Sequence, residues 1–196
     1  MEKKFELTDN FVINALGIKL FQIKCTKAFK NANEGDLGGY VEKEENLSQS
    51  GDAWVYGNAQ VYGDARVSGD AQVYGNAQVY GDARVYGDAR VSGDAWVYGN
   101  AQVYGDARVS GDAWVSGDAR VENDHMHCGF DCFGSCNRHT HAYMTNENKV
   151  EIRCGCFRGS IEEFERKVKE THAGTIYEKQ YKAIINLIKI KFGIDG

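Results

Sequence analysis

The chain has 196 residues, 42 % hydrophobic and 26 % charged, with 23 glycines, six cysteines and no proline. This balance argues against disorder, no run approaches the roughly 18 apolar residues of a membrane span, and Met1–Glu6 lacks the apolar core of a secretory leader, so a cytoplasmic place is expected. The formal net charge is −5, with no cationic stripe to neutralise a row of phosphates, so duplex nucleic acid is not an expected partner.

Average usage would put roughly ten prolines in a chain of this length. Their absence fits a long hydrogen-bonded array, because each proline removes a backbone donor. Residues 1–38 read as two or three strands. Within Ile18–Cys25, alternation puts Phe21, Ile23 and Cys25 on one side. The expected role of 1–38 is a β cap over the first open coil of a repeat domain, with Cys25 a buried small hydrophobe.

That repeat domain occupies residues 39–122. From Gly51 to Glu122 the chain is twelve contiguous hexads, each reading Gly-[Asp/Asn]-Ala-x-Val-[Tyr/Ser/Glu]. Two degenerate hexads, Gly39–Glu44 and Glu45–Ser50, precede them, with Val41 and Leu47 in the alanine phase. Ala and Val stand two apart and so share one face of a short strand. Gly-Asp and Gly-Asn are turn dipeptides, because Gly accepts positive φ freely and Asp or Asn tolerates it. A strand and a corner every six residues, with three hexads per coil, predicts a parallel β-helix of about four to five coils, its narrow interior lined by Ala and Val.

Stacking every third hexad predicts three outward ladders. Trp54, Gln72, Arg90 and Arg108 form one, and Arg66, Arg84, Gln102 and Arg120 another. The remaining ladder, Gln60, Gln78, Trp96 and Trp114 with Tyr62, Tyr80 and Tyr98 beside it, carries no charge. Trp96, Trp114, Tyr62, Tyr80 and Tyr98 are therefore the candidate binding face. Three readings of that face stay open: stacking that stabilises neighbouring coils, self-association, and a dedicated ligand or partner site.

Residues 123–159 break the repeat with a Cys/His-rich segment and a β-hairpin, its strands around Tyr143-Met144 and Val150–Arg153. His125, His127, Cys128, Cys132 and Cys136 are the candidate metal ligands, since thiolates and imidazoles at this density suit Zn²⁺. Their spacing matches no standard finger, and reduced structural cysteines are the competing reading. No cofactor is expected beyond that structural zinc. Residues 160–196 read as a helical cap of two amphipathic helices. Ser160 and Glu163 form a capping box, Ile161, Phe164 and Val168 face the core, and Gly174 ends the first helix. Tyr177, Tyr181, Ile184, Ile188 and Phe192 make the apolar stripe of the second.

Val-x-x-x-Ala-x, repeated from Val55, resembles the hexapeptide motif of left-handed parallel β-helix proteins. The flanks, Ala28–Val41 with Asn46–Val55 and the tail Arg153–Phe164, are similar to phage and prophage hexapeptide-repeat proteins often labelled hexapeptide transferases. The resemblance implies a mainly β fold, a left-handed parallel β-helix with an N-terminal β cap and a C-terminal β-hairpin plus two α-helices. It also implies a homotrimer and a place in the cytoplasm of a host cell. Acyl transfer in such proteins uses a His base on or beside the coils facing acyl-CoA, whereas the block Gly51–Glu122 has no His, Cys or Lys. The expected function is thus a non-catalytic binding scaffold for a host defence protein or a small signalling ligand. An acyltransferase and a virion component are the alternatives.

Overall fold

Residues 2–194 are described by the computed structural model. In the repeat, the variable residue and the valine of each hexad form a two-residue strand, and the four residues between strands turn the corner. β4 (Trp54–Val55), β7 (Gln72–Val73), β10 (Arg90–Val91) and β13 (Arg108–Val109) stack in parallel as one side. β6 (Arg66–Val67), β9 (Arg84–Val85), β12 (Gln102–Val103) and β15 (Arg120–Val121) form a second. The third side runs through β3 (Leu37–Val41), β5 (Gln60–Val61), β8 (Gln78–Val79), β11 (Trp96–Val97) and β14 (Trp114–Val115). It also continues outward from β3 into antiparallel β2 (Lys19–Cys25) and β1 (Phe5–Ile13), giving a seven-stranded sheet. The architecture is a mainly β parallel solenoid of about five turns.

The interior is two residue types deep. Every Ala and Val of the block from Ala53 to Val121 is at most 3 % exposed, and each fully buried valine contributes on the order of 1.5–3 kcal/mol of transfer free energy. The corners depend on glycine for two reasons at once. Gly87 has φ +71°, and a Cβ there would stand 3.0 Å from Gly105 N and 3.1 Å from Gly105 O in the next coil. A side chain would meet both the left-handed backbone penalty and the stacked backbone. Beside the glycines, amides relieve the stacked carboxylates: Asn76 Nδ2 donates to Asp94 Oδ1 at 3.0 Å, and Asn100 Nδ2 to Asp118 Oδ1 at 3.1 Å.

The opening coil departs from the expected phase. Val41 pairs with Val61 and Leu47 bridges to Val67, so both stand in the valine column and not the alanine one. The slack lies between Leu47 and Val55, where two residues more than a hexad are accommodated. Gln49 in that stretch explains why they are kept: its Oε1 accepts from Lys4 N at 2.8 Å and Phe5 N at 3.3 Å, and its Nε2 donates to Phe5 O. This ties β1 to the solenoid. Cys25 is buried, and Phe5, Ile23 and Trp54 close the lower end of the core.

The N–H of each variable residue donates to the alanine carbonyl one coil on, as in Trp54 N to Ala71 O at 3.0 Å and Trp96 N to Ala113 O at 2.9 Å. The first coil therefore has carbonyls with no preceding coil to fill them. Lys4 Nζ donates to Gly51 O and Ala53 O, and Asn46 Nδ2 to Gly63 O and Ala65 O. Burial at this position pulls the Lys4 ammonium down to about 8.

The upper end is closed by a four-stranded antiparallel sheet, where the sequence suggested only a hairpin. Its strands are β16 (His127–Phe133), β17 (Arg138–Met144), β18 (Val150–Cys154) and β19 (Phe157–Gly159), in that order. One face carries Cys128, Ala142, Ile152 and Cys154 onto the helices α1 (Ile161–His172) and α2 (Ile176–Phe192). Ser160 caps α1 with a reciprocal Glu163 bond, and Ile161, Phe164 and Val168 are buried as their spacing predicts. In α2, Ile185 joins Tyr181, Ile184 and Ile188 in the core. The other face of the sheet meets the last coil, and Tyr143, fully buried, plugs the alanine–valine core. No helix among the described residues is long and apolar enough to cross a membrane.

The dependence of the corners on glycine is directly testable. Gly87→Ala should destabilise the fold by about 1–2 kcal/mol or more, whereas Asp88→Ala on the same corner should stay within about 0.5 kcal/mol. Urea unfolding followed by circular dichroism separates the two.

Candidate functional site

The sheet that caps the last coil extends past it on the side of the aromatic ladder, and the space beneath the overhang is a cleft of about 500 Å³. Its floor is Trp96 and Trp114, with the corner carboxylates Asp94 and Asp112. Its roof is Arg138, His139 and His141 of β17, with Arg153 and Gly155 from the β18 end.

Alternation builds the roof. On β17, His139, His141 and Tyr143 point toward the solenoid, and on β18 Glu151 and Arg153 do so, while Ile152 and Cys154 face the helices. His141 is the anchor. It is fully buried, its Nδ1 donates to Trp114 O at 2.9 Å, and its Nε2 accepts from His127 Nδ1 at 3.0 Å. Burial is the main cause that drives its pKa down to about 3, with the His127 ring adding to it. The imidazole is thus neutral, and the bond to Trp114 O fixes its tautomer. Asp124 completes the attachment, accepting from Arg108 N at 2.7 Å on the neighbouring side.

The floor is an ordered stack. Trp96 and Trp114 lie 5.3 Å apart and 11° from parallel, and Tyr62, Tyr80 and Tyr98 repeat at 4.9 Å within 2°. Of the five residues read as the binding face, Tyr62 is buried, and Tyr80, Tyr98, Trp96 and Trp114 are half-buried. Their faces are spent on one another, so the ladder offers mostly ring edges to solvent. It ends at Tyr98 and Trp114, where no further coil covers the upper ring faces. Arg153 lies there, its guanidinium carbon 5.3 Å from the Tyr98 ring centre and 5.7 Å from that of Trp114, with Nη1 donating to the Tyr98 hydroxyl.

The charges of the cleft are unpaired. Among the described residues neither Arg138 nor Arg153 has a carboxylate oxygen within 4.0 Å. Arg153 Nε is buried without a hydrogen-bond partner, and burial, with the nearby Arg158 charge, lowers the Arg153 pKa. Gly155 has φ +59°, and the Arg138 guanidinium occupies the place where a side chain would be. His139 bonds Asp131 through Nδ1, an arrangement suited to a general base. However, its Nε2 is buried, and a Cβ on Gly129 would stand 2.9 Å from that nitrogen. The Cε1–Nε2 edge of the ring packs on Gly129, and the nitrogen a base would use is buried there.

The residues read as metal ligands are not gathered. His127 faces the solenoid and Cys128 the helices, because neighbours on a strand point oppositely. Burial raises the Cys128 thiol to about 11. Cys132 and Cys136 are exposed, Cys132 at a positive-φ irregularity of β16, and His125 sits in the turn before that strand. Among the described residues no three His, Cys, Asp or Glu side chains stand close enough to hold a metal ion.

A protein-family comparison matches the repeat itself. The YdcK beta solenoid repeat matches residues 59–75, 77–91, 83–99 and 101–117. The chain is a β-solenoid repeat protein. No curated protein matches it. The match ends before the capping sheet, so Arg138, His139 and Arg153 lie outside it. Those residues, together with Asp94 and Asp112, are the cleft components that sequence reading missed. Arg153 was signalled by its place between Ile152 and Cys154, but nothing in the repeat tells which side of the solenoid it overhangs.

The His141 anchor sets a pH dependence. The folded state refuses a proton that unfolded histidine accepts near pH 6.5, so this contribution to stability is present above about pH 6.5 and is lost as the pH falls toward about 3. His127, also held low by burial, acts in the same direction. His141→Gln, which keeps a donor and an acceptor, should lose less stability than wild type between about pH 7 and pH 4.5, read from urea midpoints.

Proposed function

We propose that the protein is a non-catalytic binding scaffold that captures a small ligand in the cleft between Trp114 and the overhanging sheet. The observation that carries the reading is the conjunction of an aromatic stack whose end no further coil covers with two arginines that no carboxylate neutralises. Binding sites of this size are largely preformed, apolar-floored and equipped with a few convergent polar groups. A solenoid held together by backbone ladders gives the floor a fixed position, which lowers the ordering cost on binding.

The scaffold is taken as left-handed, the hand of the hexapeptide-repeat proteins that its Val-x-x-x-Ala spacing resembles. Its similarity to phage hexapeptide-repeat proteins in the flanks supports a phage origin and action in the host cytoplasm, where sequestering a small signalling molecule would suit such a cleft. Trimeric assembly is proposed on the same resemblance. Acyl transfer is disfavoured by the buried His139 Nε2 and by the engagement of both His141 nitrogens.

The chain has only three tryptophans, and Trp54 is buried at the opposite end of the solenoid, so it serves as an internal control. In two-dimensional ¹⁵N NMR, a panel of neutral, cationic and anionic aromatic fragments should include members that shift the Trp96 and Trp114 indole signals and leave Trp54 in place. If no fragment moves those two signals at millimolar concentration, or all three move together, the cleft is not a binding site.

A further inference from the structure

Resting on the reading of the cleft as a binding site, we infer that its ligand is a planar aromatic anion, a flat ring carrying a phosphate or carboxylate group. The ring would lie at the end of the Trp96–Trp114 stack, and the anion on Arg153 and Arg138.

Three features select the anion. Arg153 is the more constrained cation: part of its guanidinium is used on Tyr98, while Nε is buried and unpartnered. Its charge has no carboxylate among the described residues to compensate it, and an anionic oxygen arriving on the terminal N–H donors of the guanidinium would pair it. Arg138 is exposed, held over Gly155, and has no ion pair among the described residues. Two guanidiniums lining one cleft repel each other and any approaching cation, and they recognise planar oxyanions by paired N–H donors.

The carboxylates do not reverse this sign. Asp94 and Asp112 stand on exposed corners, where water screens them, and Asp94 already accepts from Asn76. Their place beside the indoles suits acceptors for the N–H or O–H groups at the edge of a ring. The ring itself is selected by the stack. The ladder's rings are covered by those of the next coil up to Tyr98 and Trp114, which have none above them. A flat ligand would occupy the place where the next coil's side chain would have been and stack on the indole there. Phosphate and carboxylate share the required chemistry, and the source is distinguished experimentally.

Isothermal titration, with the tryptophan NMR signals as the site reporter, would use adenosine 5′-monophosphate and indole-3-acetate as anionic probes. Adenosine, inorganic phosphate and benzyltrimethylammonium are the controls. At least one anionic probe should bind about tenfold or more tightly than every control, shifting Trp96 and Trp114 but not Trp54. Which of the two prevails names phosphate or carboxylate as the anion. Arg153→Gln should weaken that binding about tenfold or more, and Arg138→Gln, at an exposed position with no role in the core, should weaken it in the same direction with the fold unchanged. Adenosine or benzyltrimethylammonium binding as tightly as the anions, with Trp114 shifted, overturns the anion while leaving the cleft reading intact. Inorganic phosphate matching the nucleotide overturns the ring. If no probe of any charge moves Trp96 and Trp114, both readings fall.

Discussion

Each coil of this solenoid exchanges its backbone hydrogen bonds with the next, through parallel strands only two residues long. Within the stack the scheme satisfies itself, since Val and Ala fill the interior and glycine turns every corner. At the two ends it cannot, and a buried backbone group left without a partner costs about as much as a lost hydrogen bond. The features outside the repeat answer that need. At the lower end a buried lysine and an asparagine side chain supply donors to carbonyls, and Gln49 ties the added hairpin down. At the upper end a sheet is laid across the coil, with His141 donating to Trp114 and Asp124 accepting from Arg108. The sheet is wider than the coil it closes, and the cleft is the space beneath its overhang.

The aromatic ladder illustrates how a surface feature changes meaning once its geometry is known. In sequence, five aromatics on an uncharged side suggest an exposed interface. In the structure the rings lie parallel at about 5 Å, so most of their apolar area is already buried against each other. Each stacked pair adds about 0.5–1.5 kcal/mol beyond its area, which serves coil-to-coil cohesion. The reading in which stacking stabilises neighbouring coils therefore accounts for Tyr62 and most of Tyr80. Only the last rings of the stack, Tyr98 and Trp114, have faces that the repeat leaves uncovered.

Much of the fold was legible because the repeat is strict. Six-residue spacing of Gly, Ala and Val identifies corners, core and strands together, and the Ser160–Glu163 and Thr175–Glu178 pairs mark both helices. Legibility failed where the period did. Val41 and Leu47 looked like alanine-phase residues because nothing local shows that Ser48–Ser50 takes two extra positions; that depends on Gln49 meeting β1, a contact across more than forty residues. The Cys/His segment looked like a metal cluster because its density is conspicuous in one dimension. Strand alternation sends His127 and Cys128 to opposite faces. The extra strands β16 and β19 were hidden for a related reason: Cys, His, Gly and Arg dominate them, and neither carries an apolar alternation strong enough to read. The cleft as a whole was not legible, since its two arginines and two tryptophans come from distant parts of the chain that meet only when the capping sheet is laid on the last coil.

That anchor also ties up the imidazoles at the cleft. A general base needs a nitrogen free to meet its substrate, and both imidazoles nearest the cleft are committed elsewhere. His141 holds the roof to the floor with one nitrogen and a second histidine with the other. His139 is braced by Asp131 and pressed onto Gly129, so that its remaining nitrogen is covered. What lines the rest of the cleft is two indoles, two guanidiniums and two carboxylates. All of them come from the last two coils of one side and from the cap, and none from the coils below Asp94. The lower coils therefore act as a plinth. Their number sets how far the cleft stands from the N-terminal hairpin, while its chemistry is set by the one place where the repeat stops and its unsatisfied edge is covered.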